Sequence, residues 1–165
     1  MTLSREIELN RDFESPQEEA LLALVWTYQK MTKMSADFFR RHDLTETQFN
    51  ALMIVADYQS EGIRQVELAR RLLINPASTG TLIDALESKG WLLRVRAATD
   101  RRAYELQLTD TGTSLLASFK PVYYGLVNDA MAGLEHGELR QLTGLLDRFR
   151  DGLTRALAER LEASA

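Results

Sequence analysis

The sequence predicts a mainly α-helical fold with one small β-hairpin, on three observations. Apolar residues recur at helical spacing through most of the 165 residues. Only two stretches, Trp91 to Arg96 and Ala103 to Leu108, alternate with period two, most clearly Tyr104, Leu106 and Leu108 against Glu105 and Gln107. Two short helical patterns stand directly before them, so residues 62–108 read helix, helix, strand, strand. That order is a winged helix-turn-helix, and longer amphipathic segments flank it.

The first helix of the pair is expected from about Arg64 to Leu73, with Val66, Leu68, Ala69, Leu72 and Leu73 as its apolar face and Glu67, Arg70 and Arg71 off it. Asn75-Pro76 interrupts and restarts the pattern. An Asn side chain can accept a free backbone N–H at a helix start, and Pro fits the next position, where no N–H is needed. The second helix should run from Pro76 to about Lys89 and stop at Gly90, with Leu82, Ile83 and Leu86 buried. Ala77, Ser78, Thr79, Gly80 and Thr81 then form an exposed N-terminal end of small, largely hydroxylated side chains. Such a surface can approach DNA closely and bond phosphates or base edges.

The hairpin carries Arg94, Arg96, Asp100, Arg101 and Arg102. Guanidinium groups clustered at a hairpin tip suit phosphates or a narrow minor groove. Asp100 can aim one of those arginines through a bidentate pair.

These residues resemble the MarR family of bacterial transcription regulators. The likeness rests on Leu86-Glu87-x-x-Gly90, Arg94, Asp100-Arg101-Arg102 and Leu108-Thr109-x-x-Gly112, with Glu67-Leu68-Ala69 and Leu44-Thr45-x-x-Gln48 upstream. It spans roughly residues 16 to 160. The resemblance implies a symmetric dimer of winged helix-turn-helix subunits that binds double-stranded DNA and is often released by a small ligand. It divides the chain into a DNA-binding region, 45–108, and a helical dimerisation region, 15–44 and 109–162, within a single unit, 1–165. The expected DNA-binding set is Pro76, Ser78, Thr79, Thr81, Arg94, Arg96, Asp100, Arg101 and Arg102. Many relatives have Arg at the position of Thr81 and a hydroxyl residue at that of Gly80. Thr81 cannot grip guanine bidentately, so shape should carry more of the readout. A pocket in such dimers lies where the first two helices meet the reading module, which nominates Trp26, Tyr28, His42 and Phe49 as liners for a small aromatic or amphipathic ligand. The alternative is a constitutive regulator or an interaction module without an effector.

The net charge of −4 looks wrong for a DNA partner until it is divided along the chain. Residues 62–108 hold eight Lys and Arg against five Asp and Glu, a net +3, which leaves −7 for the remainder. A basic face on an acidic body orients a protein on DNA without general stickiness. With no cysteine, disulfides, thiolate zinc sites and thiol oxidation are excluded. The two histidines, His42 and His136, have no metal-ligand spacing, so no metal or cofactor is expected. Neither a nucleophile–base pair nor a Gly-rich phosphate loop appears, which argues against an enzyme. No apolar run reaches membrane-spanning length and residues 1–15 lack a signal-peptide core, so a cytoplasmic protein is expected.

Outside the module, Ser15-Pro16-Gln17-Glu18 predicts a capped helix to about Arg41, with Leu21, Leu24, Val25, Tyr28, Met31, Ser35 and Phe38 along one face and Trp26 and Phe39 widening it. So apolar a helix should be buried on more than one side. Thr45-Glu46-Thr47-Gln48 is a second capping box, opening a helix to near Tyr58. Thr109 should cap a helix from Asp110 that contains Pro121, where a kink is expected. After a break at 135–138, a last helix carries Leu139, Leu142, Leu145, Leu146, Phe149, Leu153 and Leu157. These helices have more apolar face than one subunit can cover, which points to a homodimer.

Overall fold

The computed structural model describes residues 3–97 and 103–163. Its elements are α1 (Leu3–Glu6), α2 (Pro16–Arg40), α3 (Glu46–Asp57), α4 (Gln65–Leu72), α5 (Pro76–Ser88), β1 (Leu92–Arg96), β2 (Tyr104–Leu108), α6 (Asp110–Met131) and α7 (His136–Glu162). The mainly α architecture with a single antiparallel hairpin is therefore the one the periodicities predict. The chain forms two compact units, Met1–Ala117 and Ser118–Ala165.

Helix starts follow local chemistry closely. Ser15 Oγ accepts the Glu18 N–H at 3.2 Å, as a cap should. The reciprocal half of that box is absent, because the Glu18 carboxylate takes the Glu14 N–H at 2.7 Å and pairs with Arg11. Thr45 and Gln48 make both halves of their box, at 3.1 Å each. Glu135 and Glu138 form another, so the segment read as a break is the start of α7. The residues before α2 also fold back onto it: Glu6 accepts the Trp26 indole N–H at 3.1 Å and Lys30 Nζ at 2.7 Å.

The core of the first unit draws on α2 only through Phe39, then on Leu44, Phe49, Leu52, Val55, Ile63, Leu68, Ile83, Leu86, Leu92, Leu106 and Leu108. The expectation that α2 is buried on more than one side is corrected for the single chain: Leu21, Tyr28, Met31 and Met34 are all exposed. In α4, Leu68 and Ala69 are buried while Val66 is 74% exposed. Val66 and Leu68 differ by two residues, roughly 200° around a helix of 3.6 residues per turn, so they cannot share a face. Leu73 is 92% exposed and has left the helix at φ +54°, which corrects its place in the apolar face.

The hairpin pairs Leu92 with Leu108, Arg94 with Leu106 and Arg96 with Tyr104. The outer edge of β2 is bonded by other parts of the unit. Ile63 O accepts the Leu106 N–H at 2.8 Å, and the Gln59 side-chain amide brackets Leu108, taking its N–H at 3.1 Å and donating to its carbonyl at 3.3 Å. Buried backbone groups need such partners, and a two-stranded ribbon alone cannot supply them. At the base of the hairpin, Thr109 Oγ1 donates to Gly90 O at 2.6 Å and accepts the Gly112 N–H at 3.0 Å, so it caps α6 as predicted. α6 continues as one helix through Pro121.

Candidate nucleic-acid interface

The N-terminus of α5 is built by Asn75, whose Oδ1 accepts the Ser78 N–H at 2.7 Å, with Pro76 at the first helical position. Thr79, Ile83 and Leu86 share the buried face, at spacings of four and three residues. The opposite face, Ala77, Thr81, Asp84 and Ser88 with Ser78 beside it, is exposed. Pro76, Ser78 and Thr81 therefore lie on an accessible surface. Thr79 does not: it is fully buried and its hydroxyl donates to Asn75 O at 3.0 Å, so it is corrected from base reader to part of the helix start. The 79, 83, 86 spacing is legible in the sequence; residue type points a hydroxyl outward, whereas the helical angle turns Thr79 inward.

Arg94 also departs from expectation. Its backbone N–H donates to Glu87 Oε1 at 3.1 Å, its Nη1 to Glu87 Oε2, and its Nη2 to Asp84 Oδ1 at 2.8 Å. A side chain 29% exposed and held by two carboxylates is not an open phosphate ligand, so the expected DNA-contact role of Arg94 is corrected to an internal one. Glu87 and Asp84 are the site residues that sequence reading missed; the signal was two acids, and no base, on this helix. Arg96, at the end of β1, is exposed and lies over the Tyr104 ring at 5.4 Å, where the guanidinium meets the negative ring face. Asp100, Arg101 and Arg102 lie outside the described residues.

Other cations of the module are tied to acids. Glu67 accepts Arg70 Nε at 2.9 Å and Nη2 at 2.7 Å, and Arg71 Nε at 2.8 Å. Those bonds, Arg70's above all, hold the Glu67 carboxyl down at about 2. Arg71 also lies over the Tyr58 ring at 4.7 Å. Lys89 Nζ donates to Asp43 O at 2.7 Å and sits 4.4 Å from the Trp91 ring centre.

The four nominated ligand liners have different surroundings in the single chain. Phe49 is a core residue, 1% exposed, 5.7 Å from the Phe39 ring. His42 packs on Phe38 at 5.3 Å. Trp26 is bonded to Glu6, and Tyr28 is 64% exposed.

Residues 44–104 match the model of the MarR family. The chain is 25% identical over 151 residues to the HTH-type transcriptional repressor YetL of Bacillus subtilis, covering 89% of this chain and 90% of that protein. It is 26% identical over 155 residues to the transcriptional repressor MprA of Escherichia coli, covering 93% and 84%. Its fold matches the Staphylococcus aureus MepR–DNA complex with a TM-score of 0.75 at 20% identity, over 84% of this chain and 99% of that one. It also matches the PcaV transcriptional regulator from Streptomyces coelicolor in complex with its natural ligand, with a TM-score of 0.65 at 19% identity, over 76% and 89%. The helix pair α4–α5 and both strands of the hairpin start within or border the stretch that matches the MarR family model, and over most of its length the chain is similar to MarR-family regulators.

Proposed function

We propose that the protein is a DNA-binding transcriptional regulator, a homodimeric repressor that places the N-terminus of α5 in a major groove and the hairpin beside it. The observation that carries this reading is the exposed face Pro76, Ala77, Ser78 and Thr81 at a capped helix start, followed by a hairpin whose first strand ends at the exposed Arg96. Backbone N–H groups and small hydroxyls there suit phosphate and base edges. The names of the relatives, transcriptional repressors, and of the DNA-bound MepR structure support it. No helix among the described residues is long and apolar enough to cross a membrane.

Dimerisation is supported by apolar faces left open on α2 and on α7, where Leu145, Phe149, Leu153 and Leu157 recur at four-residue spacing and are each 42–53% exposed. Regions 15–44 and 109–162 would supply the dimer and 45–108 the DNA contact. A two-fold dimer binds a pseudo-palindrome with half-sites about one helical turn apart. Release by a small aromatic or amphipathic ligand is supported by the ligand-bound PcaV structure. An effector must bind the released state better than the DNA-bound one, and operator must then weaken ligand binding by the same factor.

The experiment is selection of binding duplexes from random sequence, followed by gel shift and sedimentation. The expected result is a two-fold-symmetric site bound by one dimer. Failure to enrich any sequence, or a monomer bound tightly to one half-site, overturns the reading. Binding that no member of a broad aromatic panel reverses would leave a constitutive repressor.

A further inference from the structure

The geometry assigns Arg94 the role of positioning residue for the wing: through Glu87 and Asp84 it fixes the hairpin to α5, so two acids on the DNA-facing helix strengthen DNA binding. This rests on the DNA-binding reading of α5 and the hairpin.

Three features of α5 lead to it. The helix has no Lys or Arg, and its two acids, Asp84 and Glu87, both lie in its C-terminal half. A carboxylate near a helix C-terminus is opposed by the macrodipole. A carboxylate on a helix that docks on DNA is opposed by the phosphates as well. Neither helix stability nor DNA attraction accounts for acids in these positions.

What they do in the structure is hold Arg94. Glu87 engages both the backbone N–H and the guanidinium of that residue, and Asp84 takes the other terminal nitrogen. The backbone bond stands where a third strand would stand, on the outer edge of β1. The outer edge of β2 is already tied by Ile63 and Gln59. Glu87 therefore ties the outer edge of β1 to α5, as Ile63 and Gln59 tie the outer edge of β2. Both terminal nitrogens of the Arg94 fork face carboxylates, so the fork is closed to a phosphate. The angle between α5 and the hairpin, and hence whether groove helix and wing engage one duplex together, is set by this contact.

The test turns on sign. Glu87→Ala and Asp84→Ala each remove a negative charge, and charge alone predicts tighter DNA binding. Positioning predicts weaker binding to the selected duplex, by roughly five- to tenfold for Glu87→Ala. The loss should be smaller for Asp84→Ala, whose side chain is 68% exposed. The second readout is a double-mutant cycle between Arg94→Met and Arg102→Ala, with folding checked by circular dichroism. Losses smaller together than their sum mean that Arg94 acts through the wing. Tighter or unchanged binding by folded Glu87→Ala, or strictly additive losses in the cycle, overturns the assignment. Should Glu87→Ala not fold, Asp84→Ala and the cycle decide. If the unmodified protein selects no duplex, the DNA-binding reading itself has failed, a result distinct from any change of sign among variants.

Discussion

Gly112 meets the Trp91 carbonyl so closely that a Cβ on Gly112 would lie 2.0 Å from the Trp91 oxygen. The same carbonyl accepts the Thr109 N–H at 3.2 Å. The first turn of α6 is thus pressed against the residue that leads into β1, and only a glycine fits between them. The obstacle is backbone, which cannot rotate away as a side chain can. This gives the Leu108-Thr109-x-x-Gly112 motif a physical meaning: Thr109 caps, and Gly112 lets the cap reach the base of the hairpin.

Gly112→Ala should accordingly destabilise the protein by about 1–3 kcal/mol, the usual cost of forcing a methyl into a filled site. A fall in the urea midpoint at unchanged slope is the expected observation. An unchanged midpoint would mean that α6 and Trp91 are not held this closely.

Two other positions should move the opposite way. Leu73 is 92% exposed and adopts φ +54°, a conformation that glycine takes without a Cβ clash. Gly80 lies inside α5, where a Cβ would meet only the Gln65 side chain at an ordinary 3.6 Å. Leu73→Gly should stabilise by up to about 1 kcal/mol. Gly80→Ala should stabilise by roughly 0.5–1 kcal/mol. Thermal denaturation of the two single variants and the double variant checks both values and their additivity.

Glu67 gives a pH dependence with a definite sign. Arg70, then Arg71, depress its carboxyl from 4.5 to about 2. A group depressed on folding adds stability above its unfolded value and loses it as pH falls through its folded value. The contribution of Glu67 should thus be complete above about pH 4.5 and vanish as pH approaches about 2. A carboxyl-carbon chemical-shift titration should show Glu67 still ionised at pH 3.5, and Glu67→Gln should flatten this part of the acid limb. A midpoint near 4.5 would show that the two arginines do not hold it in solution.

The wing tip should reveal itself through salt. Arg102→Ala is expected to weaken operator binding and to lower the slope of log affinity against log salt by about one unit, as removal of one phosphate contact does. Asp100→Ala should weaken binding too, with a loss that is less than additive with that of Arg102→Ala. Fluorescence anisotropy across a salt series measures both. An unchanged affinity and slope in Arg102→Ala would remove the tip from the interface.

The sequence by itself determined the local structure: where helices start and which stretches pair as strands. Ser15, Thr45, Asn75 and Thr109 each accept a backbone N–H just ahead of them, and such caps depend only on neighbouring residues. Period-two alternation likewise located β1 and β2 within a residue. Tertiary structure alone decided what each side chain at the interface does. Residue type gave Arg94 to phosphate and Thr79 to a base edge, but the fold brings Glu87 and Asp84 against the first and buries the second. The same holds for Trp26, Tyr28, His42 and Phe49: the fold buries Phe49 beside Phe39, packs His42 on Phe38, bonds Trp26 to Glu6 and leaves Tyr28 exposed. The physical reason is range. A cap or an alternation is settled within a few residues, whereas the partner of a charge is set by how separate elements dock, which local pattern does not encode.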